Sequence, residues 1–228
     1  MVSLPRLPRL PGLGGWSDDP LWGSFYDWTV EHPTPGRALW ALGIQSDLDL
    51  LYAAAAEIGR QRAGARVLDV PCGGGVATRA LEPGQGVEYV AADISQRMLD
   101  RTALVAAEHG VADQVTTLLA DVEELPFEDG SFDLVVSFTG LHCFPDPARA
   151  VVELARVTRL GGVLSGSAIL NDTGRRYEPM RRAGRLAGLL GPGCTSEQLR
   201  TWLDRQGVSD LTLDVSGPLG YFRGVRRA

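Results

Sequence analysis

The sequence predicts an α/β domain whose doubly wound, mostly parallel seven-stranded sheet ends in antiparallel strands. Three observations predict it. Short β-branched runs alternate with helical patterns between residues 66 and 169, a glycine-rich turn joins the first strand to the helix after it, and two strand patterns flank Ser216-Gly217-Pro218 near the C-terminal end. The chain has 228 residues, which suits one hydrophobic core, since cores stop growing at roughly 250 residues.

The elements follow in order. Pro5, Pro8 and Pro11 interrupt the first residues, leaving no continuous apolar stretch for a signal peptide. Residues 16–45 are loosely patterned and hold Trp16, Trp22, Phe25, Tyr26, Trp28 and Trp40. Ser46 with Asp49 reads as a capping box opening a helix over 47–61, with Leu48, Leu51, Tyr52, Ala55 and Ile58 on one face. Strands at 66–70, 87–92 and 115–119 then alternate with helices at 76–81 and 96–108. The run Leu134-Val135-Val136 within 133–138 reads as a central strand buried on both faces. Asp146-Pro147 opens a helix carrying Val151, Leu154, Ala155 and Thr158, and Gly161-Gly162 should stop it before a strand at 163–169. Helices at 175–190 and 195–206, the second capped by Thr195 or Ser196, precede strands at 211–215 and 219–225. No internal repeat interrupts this order.

Charge and cysteine content exclude several function classes. A formal charge of −6 disfavours a nucleic-acid partner, whose phosphates an acidic protein repels. Arg175, Arg176, Arg181, Arg182 and Arg185 form a local exception, either a site for an anionic substrate or a solvated helix face. Cys72, Cys143 and Cys194 are odd in number and widely spaced, which suits neither a disulfide framework nor a paired zinc site and points to a reducing cytoplasm. No segment is long and apolar enough to span a bilayer, no metal is expected, and the oligomeric state is left open.

The informative stretch is Val67-Leu68-Asp69-Val70-Pro71-Cys72-Gly73-Gly74-Gly75-Val76, a strand and a glycine turn that opens a helix. Glycine lets backbone pass close to a ligand, and a helix N-terminus offers unpaired N–H groups. Dinucleotide-binding proteins share such a turn. Asp93 ends the second strand, where a carboxylate can accept from both hydroxyls of a ribose, or can serve as a helix cap. Asp121-Val122 supplies a second acidic loop at the same sheet edge.

In these blocks the chain resembles the class I S-adenosylmethionine-dependent methyltransferases, of the kind that includes quinone-biosynthesis and small-molecule enzymes. The match runs in order through 67–75, 90–99, 119–136 and 141–162, and the run Ala-Asp-Val-Glu-Glu-Leu-Pro-Phe-Glu-Asp-Gly-Ser-Phe-Asp-Leu-Val-Val at 120–136 is its most distinctive part. The resemblance implies that Asp69, Gly73 and Gly75 surround the methionine moiety of S-adenosylmethionine. It also places Asp93 on the ribose, Ile94 and Met98 against adenine, Asp121 and Val122 at its edge, and Phe138 near the sulfonium. Pro71 stands where the family usually has its first glycine, so one amide donor is lost from this part of the cofactor site.

A sulfonium already activates its methyl group, so a dedicated catalytic residue is not obligatory. His142, in the loop after the fourth strand, is the candidate general base for a hydroxyl or phenol acceptor, or else supports loop packing. His32, His109 and Cys143 have weaker claims. The implied activity is methylation of a small, apolar or aromatic molecule, with S-adenosyl-L-homocysteine as product. The competing readings are a non-catalytic cofactor-binding or assembly protein and a nicotinamide-dependent oxidoreductase. The expected organisation is an aromatic-rich cover at 1–45 and the catalytic domain at 46–228, with a substrate-cap insertion at 171–193.

Overall fold

A computed structural model describes residues 28–30 and 32–228. Trp16, Trp22, Phe25 and Tyr26 lie outside the described residues. Helix α1 (Pro33–Leu39) passes into one π-helical turn at Trp40–Ile44 and is followed by α2 (Asp49–Gly59). Next come β1 (Arg66–Asp69), a 3-10 turn at Val76–Ala80, β2 (Glu88–Asp93), α3 (Gln96–Glu108), β3 (Val115–Leu119), β4 (Phe132–Ser137), α4 (Pro147–Val157) and β5 (Thr158–Ile169). The chain closes with α5 (Glu178–Leu186), α6 (Ser196–Arg205), β6 (Val208–Ser216) and β7 (Leu219–Arg226).

The seven strands form one sheet in the order β3-β2-β1-β4-β5-β7-β6. The first five are parallel, β7 runs antiparallel to β5, and β6 pairs with β7 as the expected hairpin. Side chains alternate across it, because successive strand residues point to opposite faces. Leu68, Ala92, Val135 and Phe222 join a core with α4 and α6, whereas Val67, Ala91, Leu134 and Tyr221 join a second core with α2 and α3. The strand order reverses between β2-β1 and β1-β4, and ligands of such sheets bind beyond the carboxyl ends of the strands at that switch.

Several boundaries differ from the expectations, each for a local reason. Asp47, not Ser46, accepts the Asp49 N–H at the start of α2 (2.9 Å), so the anticipated capping box does not form. The helix expected at 76–81 is a single 3-10 turn. Helix α4 stops at Val157 rather than at Gly161-Gly162. Thr158 turns extended there while its Oγ1 donates to Leu154 O (2.7 Å), and the glycines instead serve an irregularity in β5, where pairing jumps from Phe132↔Thr158 to Leu134↔Val163. The helix expected at 175–190 is a 3-10 turn, Arg175–Tyr177, followed by α5. The predicted starts of α3 and α4 hold, and the Asp146 carboxylate accepts the Arg149 N–H (2.9 Å). Thr195 and Gln198 form a reciprocal capping box on α6.

Among the aromatic residues of the 16–45 region, Trp28 is 41% exposed and stacks on His32, whereas Trp40 is buried. Trp40 Nε1 donates to Thr29 Oγ1 (3.1 Å), and its ring belongs to the same core as Leu51 and Ile58. The segment preceding residue 46 is thus in part built into the sheet face, and a cut at residue 45 would remove a core side chain.

Candidate active site

The carboxyl ends of β1, β2 and β4 open into one cavity of about 1390 Å³. It exceeds the roughly 300–1,000 Å³ of a pocket for one drug-sized ligand, leaving room for two ligands side by side. Asp69, Pro71, Gly73, Asp93, Ile94, Met98, Asp121, Val122, Phe138 and His142 all line it. Gly75 does not. Its φ is +83°, and a Cβ there would lie 2.9 Å from the Thr102 backbone, so this glycine serves the close passage of α3. Gly73, by contrast, has φ +51° and no atom within 4 Å of a Cβ position, so the backbone here faces open space.

The carboxylates are held by neighbours the sequence does not announce. Asp93 is buried, and its two oxygens accept N–H groups from Gly73 (3.0 Å) and Ser95 (2.9 Å), tying the glycine turn to the start of α3. The cap and ligand readings of Asp93 are therefore compatible, because an ionised carboxylate has about four lone-pair sites and two are used. Burial raises its pKa, against the pull of those backbone donors. Asp69 is buried at the end of β1 and accepts the Tyr89 hydroxyl (2.7 Å); burial lifts its carboxyl to about 7. Asp121 is exposed, and its Oδ1 accepts the Glu123 N–H (2.9 Å), which shapes the third loop. Cys72 is buried against Thr102 and its thiol pKa is raised by burial, consistent with a packing role.

Beyond β4, Phe138 lies just past the strand end and Thr139 adopts φ +53°, a strained conformation for a β-branched residue. The Thr139 N–H donates to Ser167 Oγ on β5 (3.0 Å), and Gly140 has no room for a side chain because a Cβ would strike Pro71. Pro71, which follows a cis peptide bond, thereby packs the first loop against the fourth. His142 is buried, with Nδ1 accepting the Ile169 N–H (3.0 Å) and its carbonyl accepting the Gly191 N–H (2.8 Å). Burial lowers its pKa to about 4.

The opposite wall comes from α1, α2 and the 171–193 segment. Trp40, Ile44, Leu51 and Tyr52 line the cavity together with Met180, Ala183 and Gly184, residues at helical spacing on α5, and Ala187 at the end of that helix. The nearby arginines have other work: Arg181 is buried and donates to Leu170 O and Gly174 O (both 3.1 Å), while Arg182 and Arg185 pair with Glu178. Sequence reasoning missed Tyr89, Thr139 and Ser167, which support the site from strand and loop positions that carry no motif.

A family profile described as a methyltransferase domain matches residues 68–165. An uncharacterized chloroplastic methyltransferase of Arabidopsis thaliana is 35% identical over 129 residues, covering 55% of this chain and 35% of that protein. The 27-O-demethylrifamycin SV methyltransferase of Amycolatopsis mediterranei is 36% identical over 104 residues, covering 46% and 38% respectively. The chain thus spans less than half the length of these curated relatives. The solved CurJ carbon methyltransferase shares the fold, with a TM-score of 0.64 at 16% identity over 87% of this chain and 59% of that one. Residues 68–165 thus match a methyltransferase domain, and the seven-stranded sheet that carries them has the fold of a class I S-adenosylmethionine-dependent methyltransferase.

Proposed function

We propose that this protein transfers a methyl group from S-adenosylmethionine to a small, largely apolar acceptor. The observation that carries the reading is the continuity of the cavity, in which a shelf of buried carboxylates and open glycine backbone runs into a chamber walled by apolar side chains. The chain's residues fit the cofactor. Gly73 leaves space where any side chain would stand, Asp93 has lone pairs for two ribose hydroxyls, and Ile94 is 63% exposed beside them, an apolar face available to a flat base. Asp69 would receive the methionine end, with Met98, Asp121 and Val122 around the adenine and Phe138 toward the sulfonium. Bound there, the cofactor supplies an electrophilic methyl group. The chain's own contribution is to hold the acceptor beside it and to exclude water, which the Trp40, Ile44 and Met180 walls can do.

The apolar chamber supports an aromatic or alicyclic acceptor over a sugar or amino acid, and one relative is named a methyltransferase of 27-O-demethylrifamycin SV. Arg181, Arg182 and Arg185 do not argue for an anionic tail, because buried Arg181 serves backbone carbonyls and the other two pair with Glu178. Residues 1–45 and 171–193 together are read as the cover of the acceptor. The odd number and wide spacing of Cys72, Cys143 and Cys194 support a reducing, cytoplasmic setting, the net charge argues against a nucleic-acid partner, and no helix among the described residues is long and apolar enough to cross a membrane. Calorimetry with S-adenosylhomocysteine against nicotinamide dinucleotides, followed by a methyl-transfer screen of phenols, amines and sugars, tests the reading. Preference for a nicotinamide cofactor would overturn it, and cofactor binding without turnover on any acceptor would favour a non-catalytic protein.

A further inference from the structure

We propose that His142 is a fixed hydrogen-bond donor to the acceptor, through Nε2–H, and that the acceptor is an apolar ring compound whose oxygen arrives already ionised, a phenolate or enolate. This rests on the methyl-transfer reading above and replaces the general base expected at this position with a recognition group.

The tautomer follows from one contact. His142 Nδ1 accepts the backbone N–H of Ile169, the last residue of β5, at 3.0 Å. A nitrogen that accepts carries no proton, so in the neutral ring the proton sits on Nε2. Among the described residues no protein group pairs with Nε2, and it is not one of the sealed polar atoms left without a partner; the residue borders the cavity, so this N–H is offered to what the cavity holds. The ring is fixed in place. Its carbonyl takes the Gly191 N–H at 2.8 Å, Leu141 beside it is fully buried, and swinging the ring would orphan the Ile169 amide. Protonating it is resisted by burial alone, with no charged side chain contributing from β5, from the fourth loop or from residues 189–191; Cys143 is the adjacent titratable group, and its thiol is directed at Thr139 O.

A neutral ring with one nitrogen occupied and the other protonated has no lone pair to receive a proton. It can only donate, and a donor held in a dry apolar site favours an oxygen bearing negative charge over the same oxygen protonated. The proton of the acceptor therefore leaves to solvent before the acceptor is enclosed, and compounds that ionise near neutral pH form the favoured class.

Two measurements on the full chain test this. Nitrogen NMR of histidine-labelled protein, with and without S-adenosylhomocysteine, should show His142 with a bare Nδ1 and a protonated Nε2 at every pH from about 5.5 to 8.5. The resonance is assigned by its loss in His142→Asn, whose amide oxygen can still accept the Ile169 N–H. A proton on Nδ1, or titration of His142 inside that range, overturns the proposal whether or not any variant folds. In the second measurement 4-nitrophenol is the probe, and its absorbance reports ionisation. The parent loaded with S-adenosylhomocysteine should bind the phenolate about tenfold or more tightly than His142→Asn does, the loss expected for one charge-assisted bond. Equal affinity, including none in either protein, overturns the acceptor assignment. Failure of the parent to bind S-adenosylhomocysteine would instead sink the methyl-transfer reading, while the ring's protonation could still be read.

Discussion

Replacing Asp69 with Asn separates two demands on one buried side chain. Asp69 is 1% exposed, accepts the Tyr89 hydroxyl at 2.7 Å, and has its carboxyl raised to about 7 by burial. In an unfolded chain an aspartate ionises near pH ~4. A folded value above the unfolded one means that the protonated form favours the fold, so this group's stabilisation is complete below pH ~4 and is lost as pH rises through about 7. At about 1.4 kcal/mol for each pH unit of that interval, the ionised carboxylate costs the fold on the order of 4 kcal/mol at pH 8. Asparagine carries no charge there, yet its Oδ1 can still accept the Tyr89 hydroxyl. Urea denaturation should therefore find Asp69→Asn more stable than the parent by about 2–4 kcal/mol at pH 8, with the difference vanishing toward pH 4. Cofactor binding should respond in the opposite sense. If Asp69 receives the amino group of the methionine moiety, S-adenosylhomocysteine affinity in the parent should rise about tenfold between pH 6 and pH 8, as the ionised fraction grows, while the variant binds weakly with no such slope. A parent whose stability relative to the variant is the same at pH 5 and pH 8 would refute the burial argument. A variant with the parent's pH-dependent affinity would remove Asp69 from the cofactor site.

Other outcomes follow from the same contacts. Asp93→Ala should weaken S-adenosylhomocysteine binding by roughly 1.5–3 kcal/mol in calorimetry, since it removes the ribose acceptor and frees the Gly73 N–H, and unchanged affinity would withdraw that role. Arg181→Ala should lower unfolding stability by about 2–4 kcal/mol, because it strips partners from Leu170 O and Gly174 O, whereas Arg182→Ala, at an exposed position, should stay within about 0.5 kcal/mol. Equal effects of the two would return the arginines to a solvated face. Gly75→Ala should destabilise the chain through positive φ and contact with the Thr102 backbone, measured by thermal melting with and without S-adenosylhomocysteine, and a normal melting temperature would contradict the packing role.

The sequence by itself determined the architecture and named residues that the fold brings to the lining of one cavity. Short β-branched runs, glycine turns and helix caps are local signals, so β1 to β5, the hairpin and the starts of α3 and α4 could be read from neighbouring residues, and the blocks at 67–75 and 120–136 lie in the region that matches a methyltransferase domain. Boundaries that depended on other strands could not. Gly161-Gly162 reads as a helix stop in isolation, but the pairing of β4 with β5 begins at Thr158 and turns the glycines into a strand irregularity. The chemistry divided in the same way. Asp69 and Asp93 were legible as residue types at strand ends and His142 as one in the loop after β4, whereas their ionisation and hydrogen-bonding capacity were decided by partners 20 to 27 residues away. Tyr89 reads only as a core aromatic until its hydroxyl meets Asp69, and His142 reads as a base until the Ile169 amide takes its lone pair. Local patterning specifies which backbone forms where, because it acts through neighbours in the chain. Protonation, strain and the shape of the acceptor chamber depend on burial and on contacts between loops of different strands, which exist only once the sheet has brought them together.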